Sequence, residues 1–361
     1  MRDDILNQQP FFGKWYLDRQ IGSGTFGSVY SIYHDENGVR LYAAMKVLTV
    51  PKDQAEVEEL RSQGFRDQEI KAFYEKQINA IVNEINIMTR FRGHDHIVCY
   101  EDHMLIRHHE RIQWDIYIRM ERLERLEDYL KRIRATRWDV LRMWHDISQA
   151  LTVCHGSSII HRDIKPDNIL VSRDGYYKLV DFGIARYLAH DAVSTVAGTY
   201  PYMAPEVQER KPYDGRADIY SLGIVVYQLL NGNRFPFLPP YPNRYTAYDK
   251  ERAIAARFSG EPIPVIPGLP EELMKVIQKS TAFDPRHRYA SAAELDKEVT
   301  NITIRNEEAY FPLFNENGEM VPPVIPRQKG KKGKGFLIGL AITLLLVLLA
   351  LIVVSLVTSL Q

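Results

Sequence analysis

The sequence predicts an α+β fold in two lobes, a small β-rich one followed by a larger helical one, with a single transmembrane helix after them. Three observations lead there. Strand-like runs fill the first 50 residues, helix-period runs dominate from about Leu126 onward, and residues 336–361 carry no charge. Strands followed by helices, without βαβ alternation, point to α+β rather than to a parallel-sheet fold.

Trp15–Ile21, Ser28–His34 and Leu41–Thr49 are short, rich in β-branched and aromatic residues, and separated by glycine or Asn-Gly turns, so they read as strands. One helical stretch is expected from about Gln54 to Thr89, where Ile78, Ile81, Ile85 and Met88 recur at helical spacing. The folded domain is placed at 12–305, with the first lobe over about 12–120 and the second over about 124–305. Residues 306–335 are expected to be a linker, since the prolines and glycines of 321–335 disfavour regular structure. Phe336–Leu360 holds 25 uncharged residues, which as a helix span ~37 Å against a hydrocarbon core of ~30 Å. A core helix of that length would show a polar stripe, so 336–358 is read as a membrane span.

Arg327, Lys329, Lys331, Lys332 and Lys334 form a basic run, 327–335, just before that span. Positive flanks stay inside, so the folded domain is expected in the cytoplasm of a single-pass, C-terminally anchored protein. The same run either attracts anionic lipid, at ~1 kcal/mol per residue, or serves only as a stop-transfer flank. Met1 to Pro10 is polar and gives no sign of a secretory leader. Residues 1–326 hold 41 basic and 46 acidic side chains, and a mildly acidic body argues against a nucleic-acid partner. The two cysteines, Cys99 and Cys154, form no CxxC pair and fit a reducing compartment.

The chemistry begins at Ile21-Gly22-Ser23-Gly24-Thr25-Phe26-Gly27-Ser28-Val29. Three glycines let backbone N–H groups approach a phosphate chain without Cβ obstruction. A dinucleotide fold would open a helix at the third glycine, whereas Val29-Tyr30-Ser31-Ile32-Tyr33 continues as strand. Next, Lys46 is embedded in the apolar run Ala43–Leu48. It is either a snorkelling edge lysine or one paired with phosphates and a carboxylate, for which Glu84 is the candidate. Then Asp163, Lys165 and Asn168 stand at i, i+2 and i+5 in a turn between apolar segments, supplying a base, a cation and a neutral oxygen. Asp181 follows in Val180-Asp181-Phe182-Gly183, and with Asn168 it offers the hard oxygens that Mg²⁺ requires.

These four clusters, in this order, resemble the eukaryotic-type (Hanks-type) serine/threonine protein kinases, in a bacterial-like form, over about residues 12–300. The resemblance implies ATP as phosphate donor, protein substrates, and Mg²⁺ (or Mn²⁺ in its place). It implies a catalytic set of Asp163, Lys165, Lys46 and Glu84, with Asn168 and Asp181 holding metal. The nucleotide would contact Ile21, Gly22, Ser23, Gly24, Thr25, Phe26, Gly27, Val29, Ala44, Lys46, Met120, Glu121, Leu123 and Leu170. Met120 stands at the gatekeeper position and Glu121 to Leu123 at the adenine hinge. Ala204-Pro205-Glu206, Asp218 and Arg288 match the family's structural positions, with Glu206 and Arg288 as an expected buried pair. Lys165 and Thr199 favour serine/threonine over tyrosine as acceptor. Arg162 before Asp163 marks control by activation-loop phosphorylation, with Ser194 and Thr195 as candidates and self-phosphorylation through transient self-association. A membrane-tethered pseudokinase scaffold is the rival reading, opposed by the presence of all five of Lys46, Glu84, Asp163, Asn168 and Asp181. A small-molecule kinase would depart from the Ala-Pro-Glu segment.

Some features depart from the family pattern. Lys46 and Glu84 lie 38 residues apart, longer than usual, and the added piece Ala55–Phe73 reads as a partner surface or as a solvated insert. Glu124-Arg125-Leu126-Glu127 lacks the glycine pair of many relatives, so no ribose contact is assigned. His103, His108 and His109 read as a hairpin loop rather than a metal site, and Asn301-Ile302-Thr303 is a glycosylation sequon made irrelevant by a cytoplasmic location.

Overall fold

Alternating side chains make the first lobe a two-faced sheet. A computed structural model describes residues 3–24, 27–181, 200–305, 312–315 and 317–322. Strands β1 (Tyr16–Gly24), β2 (Gly27–Glu36), β3 (Val39–Val50), β4 (Tyr100–Arg107) and β5 (Trp114–Met120) form one antiparallel sheet in the order β1-β2-β3-β5-β4. The strands run further than the sequence bounds suggested, because Gly24 pairs with Gly27 across the glycine loop. At the other end, Asn37 and Gly38 both take positive φ, the geometry of a two-residue type I′ turn. Along β3, Ala44 and Leu48 face the main core while Ala43, Met45 and Val47 face a second apolar cluster.

That second cluster includes residues before position 12. The helix α1 (Asp3–Leu6) and the segment after it cover the outer face of the sheet, burying Ile5, Phe11 and Trp15. The side chain of Gln9 accepts the Leu17 N–H at 2.8 Å, fastening the segment to β1.

The helical stretch expected over 54–89 comes as two helices, α2 (Gln54–Ser62) and α3 (Asp67–Met88). Gly64 takes φ +94°, and its neighbours close a Schellman turn, with Phe65 N–H on Leu60 O and Gly64 N–H on Arg61 O. Arg66 then starts α3, its N–H accepted by Glu69 Oε2 at 2.8 Å. The insert is not simply solvated. Val57, Ile70 and Tyr74 are buried in the main core, while Phe65 and Phe73 stay exposed.

The second lobe opens with a small sheet, β6 (Glu124–Arg125), β7 (Ile169–Val171) and β8 (Tyr177–Leu179), in that order. Around it lie α4 (Leu126–Arg132), α5 (Arg137–Gly156), α6 (Pro205–Gln208), α7 (Arg216–Leu230), α8 (Ala247–Phe258), α9 (Glu271–Ser280) and α10 (Ala292–Arg305). Every residue of α7 from Ala217 to Leu230 is buried, so it is the axis of the lobe. Its polar side chains are satisfied internally, as burial demands: Ser221 on Ala217 O, and Gln228 on Tyr202 and Asn233.

The folded part also continues past residue 305, into what was expected to be linker. Leu313 is 2% exposed, its N–H bonded to Ala135 O, and Val321 N–H returns to Leu313 O. Phe314 bridges Met320 and Pro312 bridges Thr136, so 312–322 docks against the second lobe. The expected span at 336–358 and the basic run 327–335 lie outside the described residues. Among the described residues no helix is long and apolar enough to cross a membrane. Both cysteines are free thiols, and burial pushes Cys154 up to about 12, which makes it unreactive.

Candidate active site

The apolar residues assigned to the purine converge from both lobes. Ala44 and Met120 are register partners on β3 and β5, and both are buried in the main core. Val29, Leu123 and Leu170 pack against that same cluster, while Ile21 is exposed. Gly27 sits under Val47, whose carbonyl a Cβ at this position would strike, so the loop needs glycine there. Thr25, Phe26, Ser194, Thr195 and Thr199 lie outside the described residues, as does the side chain of Glu84. Its backbone belongs to α3.

The polar half of the site starts with Lys46. Its ammonium, on a largely buried side chain, contacts Asp181 Oδ1 at 2.6 Å. The lysine buried in β3 is thus paired, and the open choice between edge and paired lysine resolves to the latter. The partner seen is Asp181.

Asp163 lies in a second cluster, tied to the first through the backbone. Lys165 Nζ donates to Asp163 Oδ2 at 2.8 Å. Asn168 Nδ2 donates both to Asp163 O, at 2.7 Å, and to Asp163 Oδ2, at 2.8 Å. With both amide hydrogens so used, Asn168 keeps its Oδ1 as a neutral oxygen donor. Val180 N–H bonds Asn168 O at 3.0 Å, which sets Asp181 one residue beyond the catalytic-loop contact. Asp181 and Arg162 both hold positive φ, +59° and +70°. Such conformations cost ~1–3 kcal/mol and persist where the surroundings over-determine them.

Asp218 supplies that determination. From the first turn of α7 its carboxylate accepts the N–H groups of His161 and Arg162, each at 2.8 Å, and contacts His155 Nε2 at 2.9 Å. His161 is fully buried, and burial pushes its imidazole below the ordinary value, toward the neutral form. Its Nε2 lies 2.9 Å from Val180 O and its Nδ1 lies 3.4 Å from Asp163 N. One neutral tautomer, protonated on Nε2, satisfies both contacts.

Glu121, assigned to the hinge, turns its side chain away from the purine side. Its Oε1 accepts Cys99 N–H at 2.7 Å and Lys178 Nζ at 2.8 Å. Only its backbone remains for a nucleotide. The Glu206–Arg288 pair is present and bidentate, at 2.6 and 2.8 Å. Arg288 also reaches Ala282 O, Arg216 O and Phe283 O, so its five N–H groups meet five acceptors. His108, in the β4–β5 turn, pairs with Asp115 at 2.8 Å, and among the described residues no cluster of histidine, cysteine and carboxylate could hold a metal.

The donor set fits ATP with a hard divalent cation. Two hard oxygens, from Asn168 and Asp181, suit an ion that keeps waters and phosphate oxygens as its other ligands, and Lys46 adds a cation beside them. The roles of Asp218, His155, His161 and Lys178 were not assigned from sequence as contacts of the loop. The acidic and basic residues embedded in apolar runs, Asp218 above all, were the available signal.

A two-lobed fold with this arrangement is that of a protein kinase domain. The protein kinase domain family matches residues 15–299, and the chain belongs to it. Relatives include a probable serine/threonine-protein kinase PknB of Bifidobacterium longum, 37% identical over 162 residues, 42% of this chain and 22% of the relative. The serine/threonine-protein kinase PknH of Mycobacterium tuberculosis is 29% identical over 293 residues, 79% of this chain and 41% of the relative. PknB of Mycolicibacterium smegmatis is 38% identical over 162 residues, 44% of this chain and 25% of the relative. The chain thus spans less than half the length of these relatives.

Proposed function

We propose that the protein is an ATP-dependent serine/threonine protein kinase held at a membrane by its C-terminal segment. The observation that carries the reading is the joining of Lys46 to Asp181 across the lobes, beside the Asp163–Lys165–Asn168 cluster. Relatives named as serine/threonine kinases support the choice of acceptor.

Asp163 accepts the proton of the substrate hydroxyl as its oxygen bonds to the γ-phosphorus, and the bond from that phosphorus to the β-phosphate oxygen breaks, releasing ADP. Lys165 is placed to neutralise charge on the transferring group, and Asn168 orients Asp163 through Oδ2. Lys46 steadies the phosphates from above. A divalent cation, which we take to be Mg²⁺ on Asn168 Oδ1 and Asp181, supplies neutralisation of the phosphate charge when bound.

The membrane span at 336–358, lipid attraction by 327–335, a cytoplasmic catalytic domain and self-phosphorylation at Ser194 or Thr195 belong to the same proposal. Confinement to two dimensions raises the effective concentration of one copy for another, which favours transfer between copies. The test is a titration of the detergent-solubilised full chain with ATP and Mg²⁺, followed by phosphoamino-acid analysis of a labelled casein acceptor. Phosphoserine and phosphothreonine are expected. A chain that ignores Mg·ATP, or labels only tyrosine, overturns the reading. Carbonate washing of membranes checks the anchor, since a truncation at residue 326 should be released and the full chain retained.

A further inference from the structure

On the outer side of the hinge lies a groove of about 540 Å³ lined by Asp18, Arg19, Tyr42, Arg122–Glu124 and Val171–Arg173. Its walls come from three places: β1 and β3 of the first lobe, the hinge, and the end of β7 in the second lobe. Three guanidiniums line it, those of Arg19, Arg122 and Arg173. Among the described residues none of the three is in an ion pair. Arg122 stacks on the Tyr42 ring at 5.0 Å.

Of the two carboxylates in the groove, Glu124 is already engaged by Arg132 through two bonds, at 3.0 and 2.7 Å. Asp18 is left against three arginines. The groove therefore carries excess positive charge on a first-326-residue body that is acidic overall. The aromatic wall continues outward, since Tyr42 pairs with Tyr33 and Tyr33 with Tyr16 across the sheet. Arg40 stacks on Tyr33 at 4.3 Å.

We propose that this groove is a docking site for an acidic, extended peptide segment of a protein that the kinase recognises. Carboxylates of such a segment match guanidinium forks, and its backbone N–H groups can satisfy Asp18. A continuous phosphate backbone carries no such N–H groups and would meet Asp18 only with like charge. Because the site touches both lobes and the hinge, an occupant favours one separation of the lobes over others. It thereby alters nucleotide affinity by differential binding to the two separations. This second clause rests on the kinase reading, whereas the docking itself does not.

The test uses the full chain in detergent and a fluorescein-labelled octapeptide of alternating glutamate and glycine. A lysine–glycine octapeptide and an eight-nucleotide thymidine oligomer serve as competitors. Fluorescence anisotropy should show binding to the acidic peptide, weakened roughly tenfold or more in the Arg19→Glu/Arg173→Glu double variant. Arg122→Gln, which keeps much of the stacking area, should weaken it less. Salt should weaken it too, as it does any exposed charge contact. Melting temperatures of the variants check that they are folded. The KM for ATP of the wild type should shift with saturating peptide, and that of the double variant should not. Equal peptide binding by wild type and double variant overturns the docking site, as does an oligonucleotide that displaces the peptide at lower concentration. An unchanged KM alongside specific binding overturns the coupling between lobes. A chain that binds peptide but transfers no phosphate refutes the proposed function and leaves the docking site standing.

Discussion

Arg288→Met removes one side of a buried ion pair and leaves Glu206 with a carboxylate sealed from water. In the native fold Arg288 meets five acceptors, two on Glu206 and three backbone carbonyls, and its guanidinium lies 4.7 Å from the Tyr220 ring. Both side chains are almost wholly buried. Breaking such a pair from one side costs ~3–5 kcal/mol, largely because the remaining charge loses its partner without regaining solvent. At ~2–4 °C per kcal/mol for a large domain, the melting temperature should fall by on the order of 10 °C. Differential scanning fluorimetry of the full chain in detergent reads this directly. The double variant Glu206→Gln/Arg288→Met, which removes both charges, should lose less than the single variant. A single variant that melts within about 2 °C of wild type would refute the reasoning that burial makes this pair costly to break.

Further outcomes follow from the same contacts. Asp218→Asn should lower kcat more than it raises the KM for ATP, because it loosens the backbone at His161 and Arg162 without touching the nucleotide; steady-state kinetics would show the split. His161 titrates below its ordinary value in the fold, so its contribution is fully present above about pH 6.5 and is lost as pH falls toward the folded value. Melting curves at pH 7.5 and 5.5 should therefore differ more for wild type than for His161→Gln. Gly64→Ala places a side chain at φ +94° and should cost ~1–2 kcal/mol in chemical denaturation, by strain at the α2–α3 turn.

The residues of the candidate site were legible because the chemistry needs side-chain types that stand out in apolar surroundings. Lys46 in a buried strand and Asp218 at the head of a buried helix are of this kind. The strand–glycine–strand reading was also legible, since Val29 to Tyr33 keep strand composition past the third glycine. Partners were harder, because they depend on where two distant segments meet. The sequence offered Glu84 for Lys46; that side chain lies outside the described residues, and the contact described is to Asp181, 135 residues away. Glu121 was placed at the hinge, and the hold of Lys178 on its carboxylate could not be read from either segment alone. Boundaries failed where a single residue decided them. Gly64 broke a periodic helix because its backbone takes the left-handed conformation. Ile5 and Leu313 extended the fold at both ends, each in an apolar patch, Ile5-Leu6 and Tyr310–Phe314, too short to give a periodic signal.

The most direct measurement is transfer of radiolabel from γ-labelled ATP to a protein acceptor by the purified full chain, with and without magnesium, beside the Asp163→Asn variant. Magnesium-dependent labelling by wild type is expected, with a loss of orders of magnitude in the variant and both proteins melting alike. Equal labelling by the two proteins, or none by a wild type that is folded and supplied with magnesium, would contradict the proposed function.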